Sequence, residues 1–400
     1  MAERKRRAAG EGAVYQRKSD GKWVGAYYLG WREGRQVRKY VYGATQREVL
    51  GKLADVRKRA EKGLDVTNDR MTVEHHLSAW LASIEGSVRP NTFKRYQDVV
   101  RVHLIPSLGK HRLVQLTPQH VEAMLRAKQA EQRPRRALRK GRTRPLTPRT
   151  CQEIRTVLGT ALRKAQRWGL IDRNAASLAE GPRVPHQEIQ PLIIDDAREF
   201  LSTVRGNRLH ALYTVAITCG LRQGEILGLR WEDIDLENGV LHVRRALQRV
   251  DGDSRLVETK TERSRRSVSL PALTVTALRE HRVRQIEDRL AAGRKWAERW
   301  GLVFCDERGQ PLHGPTVTRE FQGLLAAAGL PRQRFHDLRH TAATFLLAAG
   351  VDLKVVSEIL GHSTLAMTAD VYSHVVGELK RDAADRMGAI FAVRPEAKTS

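Results

Sequence analysis

Three short runs near the amino terminus alternate apolar and polar residues with the two-residue period of half-buried β-strands. Valine, tyrosine and tryptophan are frequent in them, and the turn-forming segments Ser19-Asp20-Gly21 and Glu33-Gly34 separate them. The pattern predicts strands over Ala13–Arg17, Lys22–Trp31 and Gln36–Tyr42. We therefore expect a small three-stranded sheet in this part of the chain.

After residue 45 the apolar residues recur with helical spacing instead. Thr45 stands three residues before Glu48, which is the spacing of a capping box, and it predicts a helix that ends near Gly63. Residues 70–182 are predicted to be all-helical, with apolar positions at Leu77, Trp80, Leu81 and Ile84. Threonine caps a helix and proline is tolerated in its first turn, so further helix starts are indicated at Thr117-Pro118 and Thr147-Pro148.

The carboxy-terminal half also has a mainly helical pattern. We expect one hairpin, near residues 239–248 and 254–270, and then a helix over 337–349 that ends at Gly350. A shorter helix from about Asp352 is predicted to end at Gly361. Near-helical spacing continues into the tail, at Val376, Leu379, Ala383, Met387 and Ile390. This tail is expected either to dock on a neighbouring protomer or to pack on its own domain.

A chain of 400 residues is too long for one typical core, so we expect several domains. Gly181-Pro182 through Pro191 is typical of a linker. The predicted domains are residues 1–66, 67–184 and 185–400. The expected fold class is multidomain and mainly α with small β-sheets: a three-stranded sheet plus a helix, a helical domain, and a mixed α/β domain.

The chain is strongly basic, with 71 lysines and arginines against 45 acids and a formal net charge of +26. Such an excess favours a polyanionic partner, although a basic surface that only confers solubility is the alternative. Residues 133–144 hold seven basic residues and no acid. This run is either a solvated loop or a loop that contacts phosphates, through Arg135, Arg136, Arg139 and Lys140.

Other classes of protein do not fit the composition. No run of 18 apolar residues occurs, and the basic amino terminus lacks the apolar segment of a secretory signal. The cysteines, Cys151, Cys219 and Cys305, are widely spaced, which is typical of reduced thiols rather than of zinc ligands or disulfides. No phosphate-binding GxxxxGK[ST] loop supports ATP chemistry. We expect a cytoplasmic protein that needs no cofactor and binds no membrane.

An ordered set of chemically active groups lies near the carboxy terminus. His336-Asp337-Leu338-Arg339-His340 is followed by Leu360-Gly361-His362 and by Tyr372, all within 37 residues. A guanidinium binds phosphate oxygens with two donors, and an imidazole transfers protons. A phenol is a nucleophile that can hold a phosphate covalently. The set therefore indicates chemistry on a phosphodiester.

The same set resembles the second signature box of the tyrosine recombinases, the phage-integrase family. Gly220-Leu221-Arg222-Gln223-Gly224-Glu225 resembles the first box, and Thr259-Lys260-Thr261 resembles the family's β-hairpin lysine segment. The resemblance covers residues 190–392 by motif and 70–182 by pattern. It implies the following catalytic set: Tyr372 as the nucleophile, Arg222 and Arg339 as phosphate clamps, His336 as general base or transition-state donor, His362 as a second donor, and Lys260 as general acid.

Residues beside these motifs have supporting roles in this interpretation. Glu225 lies three residues after Arg222, on the same helical face, and is expected to orient it. Arg263, Arg265 and Arg266 are expected to track the DNA backbone. The acidic segment 231–237 is compatible with a metal-dependent nuclease, but the resemblance favours a turn into the next strand, so no metal site is expected.

The resemblance also implies partners. They are double-stranded DNA, a homotetramer during reaction, and accessory DNA-bending or directionality proteins. Residues 67–184 correspond to a core-binding domain and residues 185–400 to the catalytic domain. Integrases of phages and integrative elements carry a similar amino-terminal module that binds arm-type sites. In residues 1–66 its candidate DNA contacts are Arg17, Lys22, Arg38 and Lys39, and a folding or dimerisation domain is the alternative.

The implied function is site-specific recombination that integrates or excises a phage or mobile element through a 3′-phosphotyrosyl intermediate. Three alternatives remain at this stage. A Xer-type resolvase shares the chemistry but lacks the amino-terminal module. A type IB topoisomerase relaxes supercoils without a partner site, and a regulator that only binds DNA needs none of the catalytic groups.

Overall fold

The computed structural model describes residues 13–361, apart from residues 33–34, 68, 132, 135–142, 186–189, 251, 259–264 and 298, and beyond residue 361 it describes Met387. The chain divides into two units, Met1–His186 and Gln187–Ser400. The finer division into three domains, at residues 66 and 184, stays a prediction. Within the described residues, no helix combines the length and the apolar character needed to span a membrane.

The first unit opens with an antiparallel sheet in the order β1-β2-β3, formed by Ala13–Gln16, Trp23–Arg32 and Arg35–Gly43. The helix α1, Gln46–Glu61, begins as predicted, since the Thr45 hydroxyl accepts a hydrogen bond from Glu48 N at 3.2 Å. This helix lies directly on the sheet at Gly25, where a Cβ atom would come within 2.7 Å of Val49 Cγ1. Strand alternation therefore gives the sheet one face covered by α1 and one outer face.

The rest of the first unit is mainly helical, and the prediction of an all-helical segment over residues 70–182 fails at two short paired strands. Its helices are α2 (Val73–Ile84), α3 (Pro90–Val99), α4 (Ile105–Leu108), α5 (Pro118–Ala130), α6 (Pro148–Arg167) and α7 (Ala175–Leu178). Leu77 and Trp80 are buried in their common core, and Leu81 and Ile84 pack against it. A π-helical turn, Val100–Leu104, joins α3 to α4. The two strands, β4 (Arg133–Pro134) and β5 (Thr143–Arg144), form the two ends of the basic run.

Helices also dominate the second unit. They are α8 (Ile194–Thr203), α9 (His210–Cys219), α10 (Gln223–Leu227), α11 (Ala272–Ala292), α12 (Gly314–Ala327), α13 (Asp337–Ala348) and α14 (Leu353–Leu360). Phe200, Tyr213 and Phe321 stack edge to face or tilted in the centre of its core. The predicted ends of α13 and α14 are confirmed, because Gly350 and Gly361 adopt positive φ angles of 81° and 66°.

The strands of this unit differ from the single hairpin that the sequence predicts. A three-stranded sheet has the order β10-β7-β6 and comprises Arg266–Ser269, Val240–Val243 and Ile234–Asp235. A separate hairpin pairs β8 (Arg245–Val250) with β9 (Asp253–Glu258). Gly252, with φ of 94°, permits the tight turn that connects the two strands of this hairpin. The hairpin packs closely on α10, since a Cβ atom at Gly228 would lie 2.7 Å from Leu247 N.

Candidate active site

The turn between α9 and α10 carries the first predicted site residue. Gly220 ends α9 in the left-handed region, with φ of 60°, and leaves room for α14. A Cβ atom at this position would come within 2.6 Å of Leu360 Cδ2 and 3.1 Å of Ala342 Cβ. Because α13 and α14 approach this turn so closely, residues that are far apart in the sequence reach Arg222.

Arg222 precedes α10 and is held by Glu225. Its Nη1 donates to Glu225 Oε1 at 2.8 Å, and its backbone N–H donates to Oε2 at 3.0 Å. The Arg222 side chain is 37% exposed, whereas that of Glu225 is 5% exposed. Burial alone would raise the pKa of Glu225, but the Arg266 and Arg222 cations outweigh burial and keep that pKa below its usual value. Glu225 is therefore an anion that fixes a partly exposed guanidinium.

Arg339 occupies a different environment, since the residue is only 2% exposed. Its Nη1 donates to Gly220 O at 2.8 Å, and its Nη2 donates to Leu360 O at 2.6 Å. The family resemblance predicts the same role, that of a phosphate clamp, for Arg222 and Arg339. In the structure, Arg222 reaches solvent, and Arg339 binds the turn and the end of α14 from inside.

Three arginines converge on the last carbonyl groups of α14. Arg266 Nε donates to Ile359 O at 2.5 Å, Arg339 Nη2 to Leu360 O at 2.6 Å, and Arg222 Nη2 to Gly361 O at 3.1 Å. A helix carboxy terminus bears partial negative charge and free carbonyl oxygens, so cations stabilise it. The convergence fixes the backbone directly before His362.

Sequence reasoning misplaced Arg266, which was expected to track DNA. The side chain is 7% exposed and forms an ion pair with Glu225, from Nη2 to Oε2, at 3.0 Å. Glu225 lies 41 positions away in the sequence, so no local spacing signals the pair. By contrast, Arg265 is exposed and pairs with Glu258 at 2.6 Å.

His336 lies at the amino-terminal cap of α13, beside His340, with 5.4 Å between the ring centroids. Although His336 is exposed to solvent, the protein atoms around its ring lower its pKa, and the Arg339 cation lowers it further. Burial, with a contribution from His336, lowers the pKa of His340 to about 4. Both imidazoles are therefore neutral at neutral pH, and a neutral imidazole is able to accept a proton.

Several predicted residues lie outside the described part of the structure. These are Lys260, His362, Tyr372, Arg135, Arg136, Arg139 and Lys140, together with Arg263. The strands β9 and β10 flank the segment that holds Lys260. The roles assigned to all of these residues stay predictions.

The acidic segment after α10 is engaged by arginines. Asp233 is buried and pairs with Arg244 at 3.0 Å, and Glu232 pairs with Arg230 at 2.5 Å. No group of three or more histidine, cysteine, aspartate or glutamate side chains in the described ranges is arranged to hold a metal ion. The segment itself forms a 3-10 turn, Trp231–Asp233, that leads into β6.

The four candidate DNA contacts of the first unit do not share one face. Arg38 and Lys39 are consecutive residues of β3, so their side chains point to opposite sides of the sheet. Lys39 forms an ion pair with Asp69 at 2.6 Å and is 19% exposed. Arg17 pairs with Asp20 at 2.5 Å, and Lys22 lies 4.0 Å from the same carboxylate.

The outer face of the sheet also carries aromatic residues that were not among the predicted DNA contacts. Tyr15 and Tyr42 both lie opposite Val24 in the strand register, and Tyr40 follows the same alternation. All three tyrosines are exposed, and the Arg17 guanidinium lies 5.6 Å from the centre of the Tyr42 ring. The period of two along β3 was the signal that could have identified Tyr40 and Tyr42.

Comparison with known proteins connects this geometry to one family. The sequence profile described as the phage integrase family matches residues 184–378. A second profile, described as phage integrase, N-terminal SAM-like domain, matches residues 72–127. The second match lies within the first unit of the chain, and the first match lies in the second unit except for its first three residues.

Individual relatives align over nearly the whole chain. An integrase of Streptomyces ambofaciens is 30% identical over 405 residues, covering 98% of this chain and 99% of that protein. A tyrosine recombinase XerC-like protein of Caldanaerobacter subterraneus subsp. tengcongensis is 30% identical over 376 residues, covering 90% and 93%. The solved Tn1549 transposon integrase, in complex with transposon right end DNA, has a TM-score of 0.64 at 22% identity, over 80% of this chain and 100% of that one. This last likeness concerns the fold.

Proposed function

The chain belongs to the phage integrase family of tyrosine recombinases, and we propose that it recombines DNA through the residues that converge at the end of α14, with Tyr372 as the nucleophile. The chain is accordingly a site-specific recombinase, an enzyme that breaks and rejoins DNA strands. The assignment of each side chain to a step, the number of subunits and the biological setting are parts of the proposal.

In the proposed reaction, the Tyr372 oxygen attacks the scissile phosphorus and displaces the 5′-oxygen of the next nucleotide. A 3′-phosphotyrosyl bond forms as the phosphorus–oxygen bond breaks, and the departing oxygen takes a proton from Lys260. The 5′-hydroxyl of the partner strand then attacks the phosphotyrosine and releases Tyr372. Because the bond energy is kept in the phosphotyrosine, the exchange requires neither ATP nor hydrolysis.

The phenol must lose its proton on attack. A free phenol has a pKa of ~10, so its anion costs about 4 kcal/mol at pH 7. Neutral His336 is suited to take that proton, and Arg222 to bind the phosphate oxygens as negative charge develops. Arg339, whose guanidinium donates to the carbonyl groups of Gly220 and Leu360, is proposed to add positive charge beside them. Of the two arginines, Arg222 has the accessible side chain.

One observation carries the proposal. Arg266, Arg339 and Arg222 bind three consecutive carbonyl oxygens, those of residues 359, 360 and 361, directly before His362 and eleven residues before Tyr372. A cationic frame thereby lies directly before the sequence segment that carries His362 and Tyr372, which supports a phosphate site here. In residues 187–400 the sequence contains one other tyrosine, Tyr213, and it is fully buried with a raised pKa. Burial of that phenol supports Tyr372 as the nucleophile.

We further propose that the substrate is double-stranded DNA at the ends of a mobile element. The integrase of Streptomyces ambofaciens aligns over 99% of its length, and the Tn1549 transposon integrase was solved with transposon right end DNA. Two duplexes with two cleavage sites each require four subunits, so we propose a tetramer on DNA. Accessory DNA-bending or directionality proteins belong to the same proposal.

A strand-transfer assay tests the function. A core site is first recovered by selecting duplexes that bind the Tyr372→Phe protein. Two labelled duplexes that carry this site are then incubated with wild-type protein in excess EDTA. Recombinant strands that join part of one labelled duplex to part of the other are expected. Relaxation of supercoiled DNA without recombinants would indicate a topoisomerase instead, and binding without cleavage would indicate a regulator.

A further inference from the structure

We propose that Arg266 is a positioning residue for DNA cleavage, which holds Arg222 through Glu225 and the end of α14 through Ile359 at the same time. The inference rests on the proposed function, since it concerns the same site. It differs from the expectation that Arg266 contacts DNA, and it assigns the residue an effect on the cleavage step rather than on binding.

The contacts of Arg266 join two separate parts of the site. Nε donates to Ile359 O at 2.5 Å, while Nη2 donates to Glu225 Oε2 at 3.0 Å. The same guanidinium lies against Gly361, where a Cβ atom would come within 2.9 Å of Nη1. One planar group thus fixes both the carboxylate that orients Arg222 and the turn that leads into His362.

Glu225 distributes its two oxygens between the arginines. Oε1 accepts from Arg222 Nη1 at 2.8 Å, and Oε2 accepts from Arg222 N at 3.0 Å and Arg266 Nη2 at 3.0 Å. Removing Arg266 leaves a buried carboxylate with Arg222 as its remaining cation among these groups. A buried charge that loses a partner is strongly destabilised, so the carboxylate is expected to draw Arg222 inward. The Arg222 guanidinium would then move away from the position in which it is proposed to bind a phosphate.

The burial of Arg266 separates positioning from DNA contact. Its side chain is 7% exposed, and two of its donor atoms bind protein oxygens. A residue that contacts the DNA backbone would contribute to affinity and to its salt dependence. A residue that only holds Arg222 and the α14 turn would instead contribute to the rate once DNA is bound.

Single-turnover cleavage of a nicked suicide duplex at saturating protein tests this directly. Arg266→Gln is expected to slow formation of the covalent adduct at least ~100-fold, the scale of losing one preorganised electrostatic group, with Kd for DNA changed less than ~3-fold. A cleavage rate within ~3-fold of wild type would overturn the inference. So would a loss that appears entirely as weaker binding.

A matched control measures the general effect of losing a partly buried arginine. Arg208 has the same kind of partners, since it donates to the Asp288 carboxylate at 3.0 Å and to Cys305 O at 2.6 Å. Neither partner belongs to the proposed site. Arg208→Gln is expected to lower the unfolding temperature yet to cleave at the wild-type rate at saturating DNA. If both variants slowed cleavage equally, the effect of Arg266→Gln would reflect a general loss of structure and not the positioning of Arg222.

Arg266→Lys keeps the test available if the glutamine variant does not fold. A lysine ammonium retains the charge opposite Glu225 but lacks the separate Nε and Nη2 donors that reach two acceptors. We expect a folded protein whose cleavage rate lies between those of wild type and Arg266→Gln. A lysine variant that cleaves as fast as wild type would show that the contact with Ile359 has no role.

Coupling to Glu225 identifies the route of the effect. If Arg266 acts through Glu225, the effect of Glu225→Gln on the cleavage rate is smaller in the Arg266→Gln background than in wild type. Additive effects would contradict this route. Wild-type protein that forms no adduct on the same duplex would instead remove the proposed function itself, so the two failures are distinguishable.

Discussion

Arg339 Nη1 donates to Gly220 O at 2.8 Å, and this bond joins α13 to the turn that leads into Arg222. The two residues lie 119 positions apart and belong to the two signature motifs. In this chain the guanidinium of one motif is therefore a structural partner of the backbone of the other. A change in either residue is therefore expected to displace both arginines of the site.

Gly220 should tolerate no side chain. In Gly220→Ala, the new Cβ atom would meet Leu360 Cδ2 at 2.6 Å, and the positive φ adds backbone strain. We expect a loss of about 2–4 kcal/mol in the free energy of unfolding, from roughly 1–2 for the backbone and the remainder for overpacking. Urea denaturation measures it.

Gly350→Ala is the matched control for Gly220→Ala. Gly350 also has a positive φ, of 81°, but a Cβ atom there would have nothing within 4 Å. This variant should lose only the backbone contribution, about 1–2 kcal/mol. Equal losses in the two variants would mean that the close approach of α14 to the turn has no energetic consequence.

The rate of cleavage should fall in acid because of His336. The protein atoms around the ring and the Arg339 cation hold the pKa of His336 below its ordinary value of 6.5, so the imidazole is neutral at pH 7. If it is the general base, the single-turnover rate is constant just below neutral pH and falls as pH drops through this lowered pKa. His336→Ala should lose roughly 10²–10⁴-fold and also lose that dependence.

The opposite profile would contradict a general base at His336. A rate that rises as the pH falls below 6.5 would mean that the imidazolium is the active form, acting as a donor to the phosphate. Measuring Kd at each pH separates this effect from weaker DNA binding, since the protein's overall positive charge also increases in acid.

The amino-terminal sheet offers a comparison between two adjacent cations. Arg38 lies on the outer face of the sheet, whereas Lys39 pairs with Asp69 at 2.6 Å on the other face. In the full-length protein, Arg38→Gln should weaken DNA binding and reduce the log–log salt slope by about 0.9, the value of one phosphate contact. Lys39→Gln should leave the slope unchanged, because Lys39 lies on the opposite face of the sheet and its ammonium is bound to the Asp69 carboxylate.

Equal effects of the two sheet variants on the salt slope would show that the outer face is not the DNA-binding surface. No effect of either variant would return residues 1–66 to a role in folding or dimerisation. Circular dichroism of both proteins controls for unfolding of the sheet, which Lys39→Gln is the more prone to cause.

The sequence predicted those features that depend on local spacing. Thr45, Gly350 and Gly361 fix helix ends through caps and left-handed turns, so the elements around them could be located. The contact between Arg222 and Glu225 follows from a separation of three residues. The fold class could be predicted because such local signals occur along most of the chain, and the prediction is confirmed.

Long-range contacts were not predictable in this way. Arg266 reaches Ile359 across 93 positions, and nothing in its neighbourhood distinguishes it from the exposed Arg265. The pairing of β7 with β10 across the β8–β9 hairpin is also a long-range choice. Arg38 and Lys39 are different, since strand alternation could have assigned them to opposite faces from the sequence.

The most direct measurement is the identity of the residue bonded to DNA. Wild-type protein is trapped on a nicked suicide duplex and digested, and the peptide that carries the nucleotide is sequenced by mass spectrometry. We expect a 3′-phosphotyrosine at Tyr372, a Tyr372→Phe protein that binds DNA without forming an adduct, and a Tyr213→Phe protein that forms it normally. An adduct at any other residue, or one that persists in Tyr372→Phe, would show that Tyr372 is not the nucleophile.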